Sequence, residues 1–369
     1  GELVPGLLEA AANLAQGLGR LSQPIKVLRE SLIARLDDEA DEMETATRQR
    51  IESMIRSLQN RGEDVAAAWR SMLESLASET PERFIDWFSV QRYGGRDIDV
   101  GMHRHWLDPS LPFAEHVVGS AQGVVITSAT LRDGTGDPDA DWAAAETRTG
   151  AIHLPSPAVR AAVPSPFDYA EMTRVLVVND VRKDDLGQVA SAYRELFLAS
   201  GGGALGLFTA ISRLRAVHGR LIEPLDREGL PLFAQHVDGL NLPTLIDIFR
   251  AEEDACLLGT DAVRDGVDVP GSSLRLIVFD RVPWPRPTIL HRARRKVFGA
   301  RAYDDMLTRL RLKQAYGRMI RRAEDRGIFV MLDPMMPSRL GGAFPEGVEI
   351  ERVGLAEAVA NAKTFFDKN

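Results

Sequence analysis

Gln314, Arg318 and Arg321 stand at i, i+4 and i+7 in the stretch LKQAYGRMIRRAEDRG, residues 312–327. On one continuous helix that spacing projects all three side chains from a single face. Two guanidiniums with a carboxamide beside them suit a γ-phosphate. Guanidiniums stabilise the charge spread over the phosphoryl oxygens, and they do so across a cleft between domains. Gly317, between the first two, permits another surface to approach closely. The plainer alternative is a solvated helix with scattered arginines.

Two further stretches carry groups of the right type. LLGTDAVRDGVDVPG (257–271) reads as a strand, a Gly-Thr turn, then Asp265-Gly266-Val267-Asp268 and Pro270-Gly271. Glycine turns at a strand end let backbone approach a ligand at the carboxyl edge of a sheet. There Asp268 suits a ribose hydroxyl or a metal-bound water, and Thr260 a nucleic-acid phosphate. GVVITSATL (123–131) reads as a strand ending in Thr127-Ser128-Ala129-Thr130, small or hydroxylic residues able to link a nucleotide site to a bound strand. As isolated pieces, both also read as ordinary turns. Arg292, Arg294, Arg295, Lys296, Arg301, Arg309 and Arg311 crowd a short span of an otherwise acidic chain. Such clusters supply sequence-independent affinity for nucleic acid, although Arg294 and Arg295 have acids nearby with which to pair. Trp284, between Pro283 and Pro285, is either a base-stacking residue or, as its setting favours, a packed loop anchor.

The elements that position these groups follow from periodicity. Residues 1 to about 92 read as helices. Ile51, Met54, Ile55 and Leu58 form one apolar stripe; Val65, Trp69, Met72, Leu73 and Leu76 form another after a break at Asn60-Arg61-Gly62. Thr80-Pro81 reads as the start of a helix carrying Phe84, Ile85, Trp87 and Phe88. From about 97, short apolar runs alternate with helical patterns. DIDVGMHRHW and GVVITSATL come first, and RDGTGDPDAD (132–141) between them and the rest reads as a loop. RVLVV (174–178), ALGLFT (204–209), PLFAQHV (231–237), ACLLGT (255–260), LRLIVFD (274–280) and GIFVMLD (327–333) follow as strands. Helices fall near 188–199, 210–220, 244–253, 305–325 and 354–367. Unbroken apolar strands alternating with helices predict a parallel sheet covered on both faces.

In this order the pieces closely resemble the DinG/XPD-like branch of superfamily 2 DNA helicases. ITSATL matches motif III, GALGLFTA (203–210) motif IV, LLGTDAVRDGVDVPG motif V, and LKQAYGRMIRRAEDRGIFVMLD motif VI; PSPFDY (164–169) matches the approach to the second motor domain. The resemblance spans about 100–340. It implies an α/β, RecA-like (P-loop NTPase-type) parallel-sheet domain preceded by an all-α region. Its divisions would be a helical arch-like region at 1–95, strands ending the first motor domain at 96–135, and the second motor domain at 136–369. It places Arg318 and Arg321 at the γ-phosphate with Gln314 in the same cleft. Asp265, Gly266 and Asp268 would line that cleft, Thr127, Ser128 and Thr130 would couple, and Thr209 and Thr260 would touch the DNA backbone. It implies ATP and Mg²⁺ as cofactors of the parent protein and single-stranded or forked DNA as partner. Two positions depart from the family's pattern. Ala262-Val263-Arg264 stands where an aromatic pair is usual, with Asp265 in place of Glu, and Met335 and Met336 follow Pro334 where Arg is usual.

What is absent shapes the expectation further. A phosphate-cradling loop needs G-x-x-x-x-G-K-[ST]. The lysines are Lys26, Lys183, Lys296, Lys313, Lys363 and Lys368, and none follows a glycine. The glycines of GGGALG (201–206) lead into a strand, not out of one. Asp38-Glu39-Ala40-Asp41 spells a DEAD box, but Ile25, Leu28, Leu32, Ile33 and Leu36 precede it at helical spacing, where a metal-binding box requires a buried strand. The chain therefore reads as the C-terminal half of a two-motor enzyme, inactive alone, its missing motor domain upstream of Gly1. A binding module that kept the helicase-like domain and lost the engine is the rival reading.

The net charge of −8 over 369 residues excludes a global attraction to nucleic acid, so binding requires a local patch. Cys256 is the only cysteine, which excludes disulfides, a thiolate zinc site and a cysteine-ligated iron–sulfur cluster within this chain. A reducing cytoplasm fits that usage. His103, His105 and His116 lack a set of partners at ligand spacing, so no metal site is expected. No apolar run reaches the length of a membrane span.

Overall fold

The computed structural model describes residues 4–266, 269 and 271–367, without the side chains of 264–266 and 272. It divides into two compact units, Gly1–Asp108 and Pro109–Asn369.

The first unit is helical through Glu74 and ends in a hairpin. Helix α1 (Leu7–Asp38) packs against both α2 (Thr45–Ser57) and α3 (Asp64–Glu74). The sequence suggests a break at Asn60-Arg61-Gly62; instead residues Leu58–Glu63 form a π-helical turn that joins α2 to α3. The wider turn is accommodated by contact with α1. A Cβ on Gly62 would meet Ile25 Cγ2 at 3.0 Å, and Arg29 Nε donates to Glu63 Oε1 at 2.5 Å. Asp38 closes α1 and residues 39–42 form a turn, so the DEAD letters follow a helix.

The helix expected over Phe84–Phe88 is a strand. β1 (Phe84–Tyr93) pairs antiparallel with β2 (Arg96–Trp106), from Phe84 opposite Trp106 to Tyr93 opposite Arg96. Gly94 and Gly95 have φ of 57° and 80°. Left-handed conformation at both central residues is what a two-residue hairpin loop needs, because its twist then matches that of the strands. Aromatic and branched residues, which favour strands, outweigh the Thr-Pro helix-start signal here.

In the second unit, α4 (Ser110–Phe113), α5 (Pro138–Thr149) and α6 (Tyr169–Met172) lead to the sheet. α5 lies partly within the expected loop 132–141. Asp137 caps it through the amides of Asp139 and Ala140, with Pro138 in the first turn. The remaining elements alternate: β3 (Thr173–Val178), α7 (Leu186–Ser200), β4 (Ala204–Leu207), α8 (Ile211–Arg227), β5 (Leu232–Ala234), α9 (Leu242–Ala251), β6 (Cys256–Gly259), α10 (Asp261–Gly266), β7 (Leu276–Phe279), α11 (Ile289–Phe298), α12 (Ala300–Tyr316), β8 (Gly327–Met331), β9 (Ile350–Val353) and α13 (Leu355–Phe366). The sheet is seven-stranded and parallel, in the order β5-β6-β4-β7-β8-β3-β9.

Alternate strand residues face opposite layers. Leu176, Val178, Leu258, Val278 and Val330 pack under α7, α8 and α13. Val175, Val177, Leu205, Leu257, Ile277 and Phe329 pack under α9, α10 and α12. Covering both faces explains the unbroken apolar strands. At Gly206 a Cβ would stand 2.7 Å from Tyr193 Cε1 and 2.6 Å from Leu258 Cδ2. Its absence lets the Tyr193 ring lie against β4, where the phenol donates to the carbonyls of Val278 (3.1 Å) and Leu207 (3.4 Å).

GVVITSATL does not form a strand. Residues 123–128 belong to no helix or strand, and Val125 is 91% exposed. Ser128 Oγ accepts from the Thr130 amide at 3.1 Å, a local turn that competes with a ladder. A strand also needs a neighbour, and neither described sheet includes this segment.

Candidate functional site

In a parallel sheet all strands end on the same edge, and the candidate residues divide between the two edges. At the carboxyl edge, Thr209 follows β4 and Thr260 follows β6. The Thr260 hydroxyl donates to Gln235 Oε1 at 2.9 Å, and its amide to the same oxygen at 3.0 Å. Thr209 is half-buried, and its carbonyl accepts from Arg286 at 3.3 Å. Beneath it lies a pair that sequence reading missed: Arg213 Nε donates to Asp280 Oδ2 at 2.6 Å, with Asp280 fully buried. Burial pushes the Asp280 carboxyl above its ordinary range, against the Arg213 hydrogen bond and the Thr209 amide, which hold it down. The same edge carries Lys183 Nζ at 3.2 Å from Asp333 Oδ1, and Arg281 at 2.5 Å from Asp184 Oδ1. Arg213 and Arg281 both donate to the Lys183 carbonyl. These bonds tie together the loops that leave β3, β4, β7 and β8, four adjacent strands.

At the opposite edge lies the Gln-Arg-Arg stretch, and its geometry corrects the sequence reading. α12 ends at Tyr316, with Gly317 as its cap. Gln314 sits in the last helical turn, but Arg318 and Arg321 lie on the turn and loop beyond, so the three do not share a helix face. The cause is local. Met319 and Ile320 turn into the core. The buried Asp325 carboxylate accepts from the amides of Arg321 (2.7 Å) and Arg322 (2.8 Å), which closes the loop before β8. Gln314 and Arg318 are half-buried and Arg321 is exposed. The segment runs directly into the amino end of β8 at Gly327, whose missing Cβ leaves room for Met319. Asp265 and Gly266 close α10, which packs on α12. Asp268 lies outside the described residues.

The basic cluster is largely engaged internally. Arg295 Nε pairs with Asp304 Oδ2 at 2.9 Å, Arg311 donates to the Pro283 carbonyl, and Arg309 is buried against Asp133. Arg294 is half-buried and has a partner. Arg292, Lys296 and Arg301 are exposed. The short-spaced arginines therefore serve tertiary structure first, since a buried guanidinium needs a partner. Trp284 is 39% exposed with Arg339 over its ring, a less packed anchor than its flanking prolines suggest. Thr127 and Ser128 are exposed, and Ser128 and Thr130 bond each other through their hydroxyls at 3.1 Å.

His103 and His105 flank the Trp87 ring at 5.1 and 4.9 Å, and His103 Nε2 is 2.7 Å from Ser89 Oγ. No cluster of three or more ligating side chains occurs among the described residues. None of the described helices is long and apolar enough to cross a membrane.

Comparison with known proteins matches part of this unit to a family. The "Helicase C-terminal domain" family matches residues 193–349, from within α7 to the start of β9. "ATP-dependent helicase DinG" of Mycobacterium tuberculosis (strain H37Rv) is 34% identical over 194 residues, covering 49% of this chain and 28% of that protein. "3'-5' exonuclease DinG" of Bacillus subtilis is 27% identical over 261 residues, covering 67% of this chain and 27% of that protein. A solved XPD helicase aligns with 92% of this chain and 64% of its own, at 14% identity and a TM-score of 0.49. The chain spans under a third of the length of these two curated relatives. Residues 193–349 thus carry a helicase C-terminal domain, and the helicase relatives support a DinG/XPD-like superfamily 2 helicase C-terminal region.

Proposed function

We propose that this chain is the second motor domain, with an arch-like helical region, of an ATP-dependent DNA helicase that translocates on single-stranded DNA and opens duplex. The observation that carries this reading is the division of residue types between the sheet's edges. Gln314, Arg318 and Arg321 lie on the segment that runs from the end of α12 into β8, at the edge where that strand begins. Guanidiniums there suit the γ-phosphate of ATP held by another domain. Thr209 and Thr260 stand at the edge where β4 and β6 end, with the exposed Arg286 close by. Hydroxyls and a guanidinium suit a phosphodiester backbone. The Thr260 hydroxyl would exchange its Gln235 partner for a phosphate oxygen. Thr127, Ser128 and Thr130 would stand between the two ligands, and Asp265, Gly266 and Asp268 would close on the nucleotide. The exposed Val124, Val125 and Ile126 favour a sheet in another domain as the partner of that segment. Arg294 and Arg295 contribute to the basic flank only where their internal pairs open.

ATP and Mg²⁺ would be held mainly by a phosphate loop and acidic box that this sequence does not contain. This chain supplies the guanidiniums that orient and neutralise the terminal phosphate. Purified alone it would therefore not hydrolyse ATP, and clear turnover would overturn the reading. In the longer cytoplasmic parent, Arg321→Ala would abolish DNA-stimulated ATP hydrolysis while DNA binding persists. Unchanged turnover in that variant would remove Arg321 from the nucleotide site. A non-catalytic binding module is the second reading, favoured by Ala262-Val263-Arg264 in place of the family's aromatic pair. A parent without a phosphate loop would decide for it.

A further inference from the structure

The chain that leaves Thr130 does not wander over the surface; it is gripped. Asp133 is buried and receives Arg309 through two hydrogen bonds, Nε to Oδ1 at 2.9 Å and a terminal nitrogen to Oδ2 at 2.6 Å. Lys313, four residues further along α12 and so on the same face, donates to the carbonyls of Arg132 at 2.8 Å and Asp133 at 3.1 Å. Arg148 of α5 donates to the carbonyl of Leu131. Three cations thus hold three consecutive carbonyls and one carboxylate. Asp141, bonded to the Thr135 hydroxyl at 2.8 Å and to its amide at 2.7 Å, is the second carboxylate nearby. Burial works against the Arg148 and Lys313 charges, with Asp133 and Asp141 acting in their favour. The backbone carbonyls of residues 131–133 accept the hydrogen bonds that these two buried cations need. Gly134, at φ 81°, completes the fit: it faces Gly342 so closely that a Cβ on either residue would overlap the other's carbonyl.

Lys313 immediately precedes Gln314, and Arg309 is one helical turn before Lys313. Residues 131–134 continue directly from Thr127–Thr130. The two candidate groups are therefore joined by a strut of a few residues and one rigid helix. We propose that Asp133, Arg309 and Lys313 form a positioning latch. It fixes Thr127–Thr130 relative to Gln314 and Arg318, so that strand binding and nucleotide turnover act as one unit. None of the three touches a ligand in this scheme; they act through the segments they hold. The inference rests on the helicase reading above, and its test separates the two.

The test uses the full-length parent. Asp133→Asn keeps the shape and removes the charge that orients Arg309. The expected result is a loss of about tenfold in the stimulation of ATP hydrolysis by single-stranded oligonucleotide. DNA-free turnover and the KM for ATP should stay within about twofold, as expected when the ground-state nucleotide site is intact. Lys313→Met should produce the same split. The double variant Asp133→Asn/Arg309→Gln should be no worse than either single change, because a unit already opened has nothing more to lose. Asp133→Glu keeps the charge on a longer arm and should retain most of the stimulation, which a volume-sensitive packing role would not allow. If Asp133→Asn fails to fold, Lys313→Met and Asp133→Glu carry the comparison. Full stimulation in folded variants, or an equal fall in DNA-free turnover, overturns the latch. A wild-type parent without ATP hydrolysis overturns the helicase reading instead.

Discussion

The strands of the second unit and the hairpin of the first are built on opposite terms. β4, β6, β7 and β8 are buried along their whole length between two helical layers. β1 is exposed from Phe88 onward and β2 from Arg96 to Val100. Val90 and Val100, directly opposite each other, are 44% and 61% exposed. The sheet draws its stability from burial in depth. The hairpin depends on cross-strand pairs such as Asp86–Arg104 (2.6 Å), Phe84–Trp106 (ring centroids 4.3 Å) and the Trp87 stack. Substitutions should therefore be costly in one and mild in the other.

The largest effect is expected at Phe329, fully buried beside Phe279 and Phe344. Phe329→Ala should destabilise the second unit by about 3–5 kcal/mol in denaturant titration. Cys256 reports on the same sheet. Burial pushes its thiol up to about 12, so alkylation at pH 8 should be very slow in the native protein and accelerate in the variant. Rapid alkylation of the unaltered chain would contradict a closed sheet. An intermediate effect is expected at the hairpin turn, where Gly95→Val should cost about 1–2 kcal/mol by forcing a branched residue to positive φ. Hydrogen exchange of the β1 and β2 amides would read it, and exchange in β4 should not change.

A smaller effect has a defined pH dependence. The Arg104 hydrogen bond, helped by Thr80, holds the Asp86 carboxyl below its ordinary range against partial burial. A depressed carboxylate contributes stability above its unfolded-state value near pH 4 and loses it as pH falls through the lower folded value. Asp86→Asn should cost up to about 1 kcal/mol at neutral pH. The difference from wild type should shrink as pH falls below about 4 and vanish only below that depressed folded value, where both side chains are neutral. A difference that persists in acid would assign the effect to packing. The smallest expected change is Val100→Thr on the open face, within about 0.5 kcal/mol; a loss as large as that at Phe329 would show that this face is covered.

The same contrast governs what the sequence discloses. Runs such as RVLVV, LRLIVFD and GIFVMLD announce a doubly covered parallel sheet because nothing else keeps such runs from water. Only half of the hairpin was legible: DIDVGMHRHW reads as a strand, while its partner from Phe84 reads as a helix. Gly94-Gly95 between strand-forming residues is a two-residue loop signal, but the Thr-Pro start competes with it. The end of α12 was less accessible. Gln314, Arg318 and Arg321 keep helical spacing in letters, and only the inward turn of Met319 and Ile320, with Asp325 on the amides behind, breaks the helix. The 123–131 segment has strand composition without a partner, and pairing is not a property of one segment. The Asp133–Arg309 contact joins residues 176 positions apart, beyond any local pattern.

Gly206 and Tyr193 have a consequence for the edge that carries Thr209 and Asp280. Because a hydrogen atom stands where every other residue has a methyl or more, the phenol sinks to the backbone and senses two neighbouring peptide carbonyls at once. It is in effect a feeler gauge between β4 and β7. Any sliding of one against the other would break a bond worth about 1 kcal/mol in a place with no water to replace it. The two loops beyond them are thereby kept at a constant span.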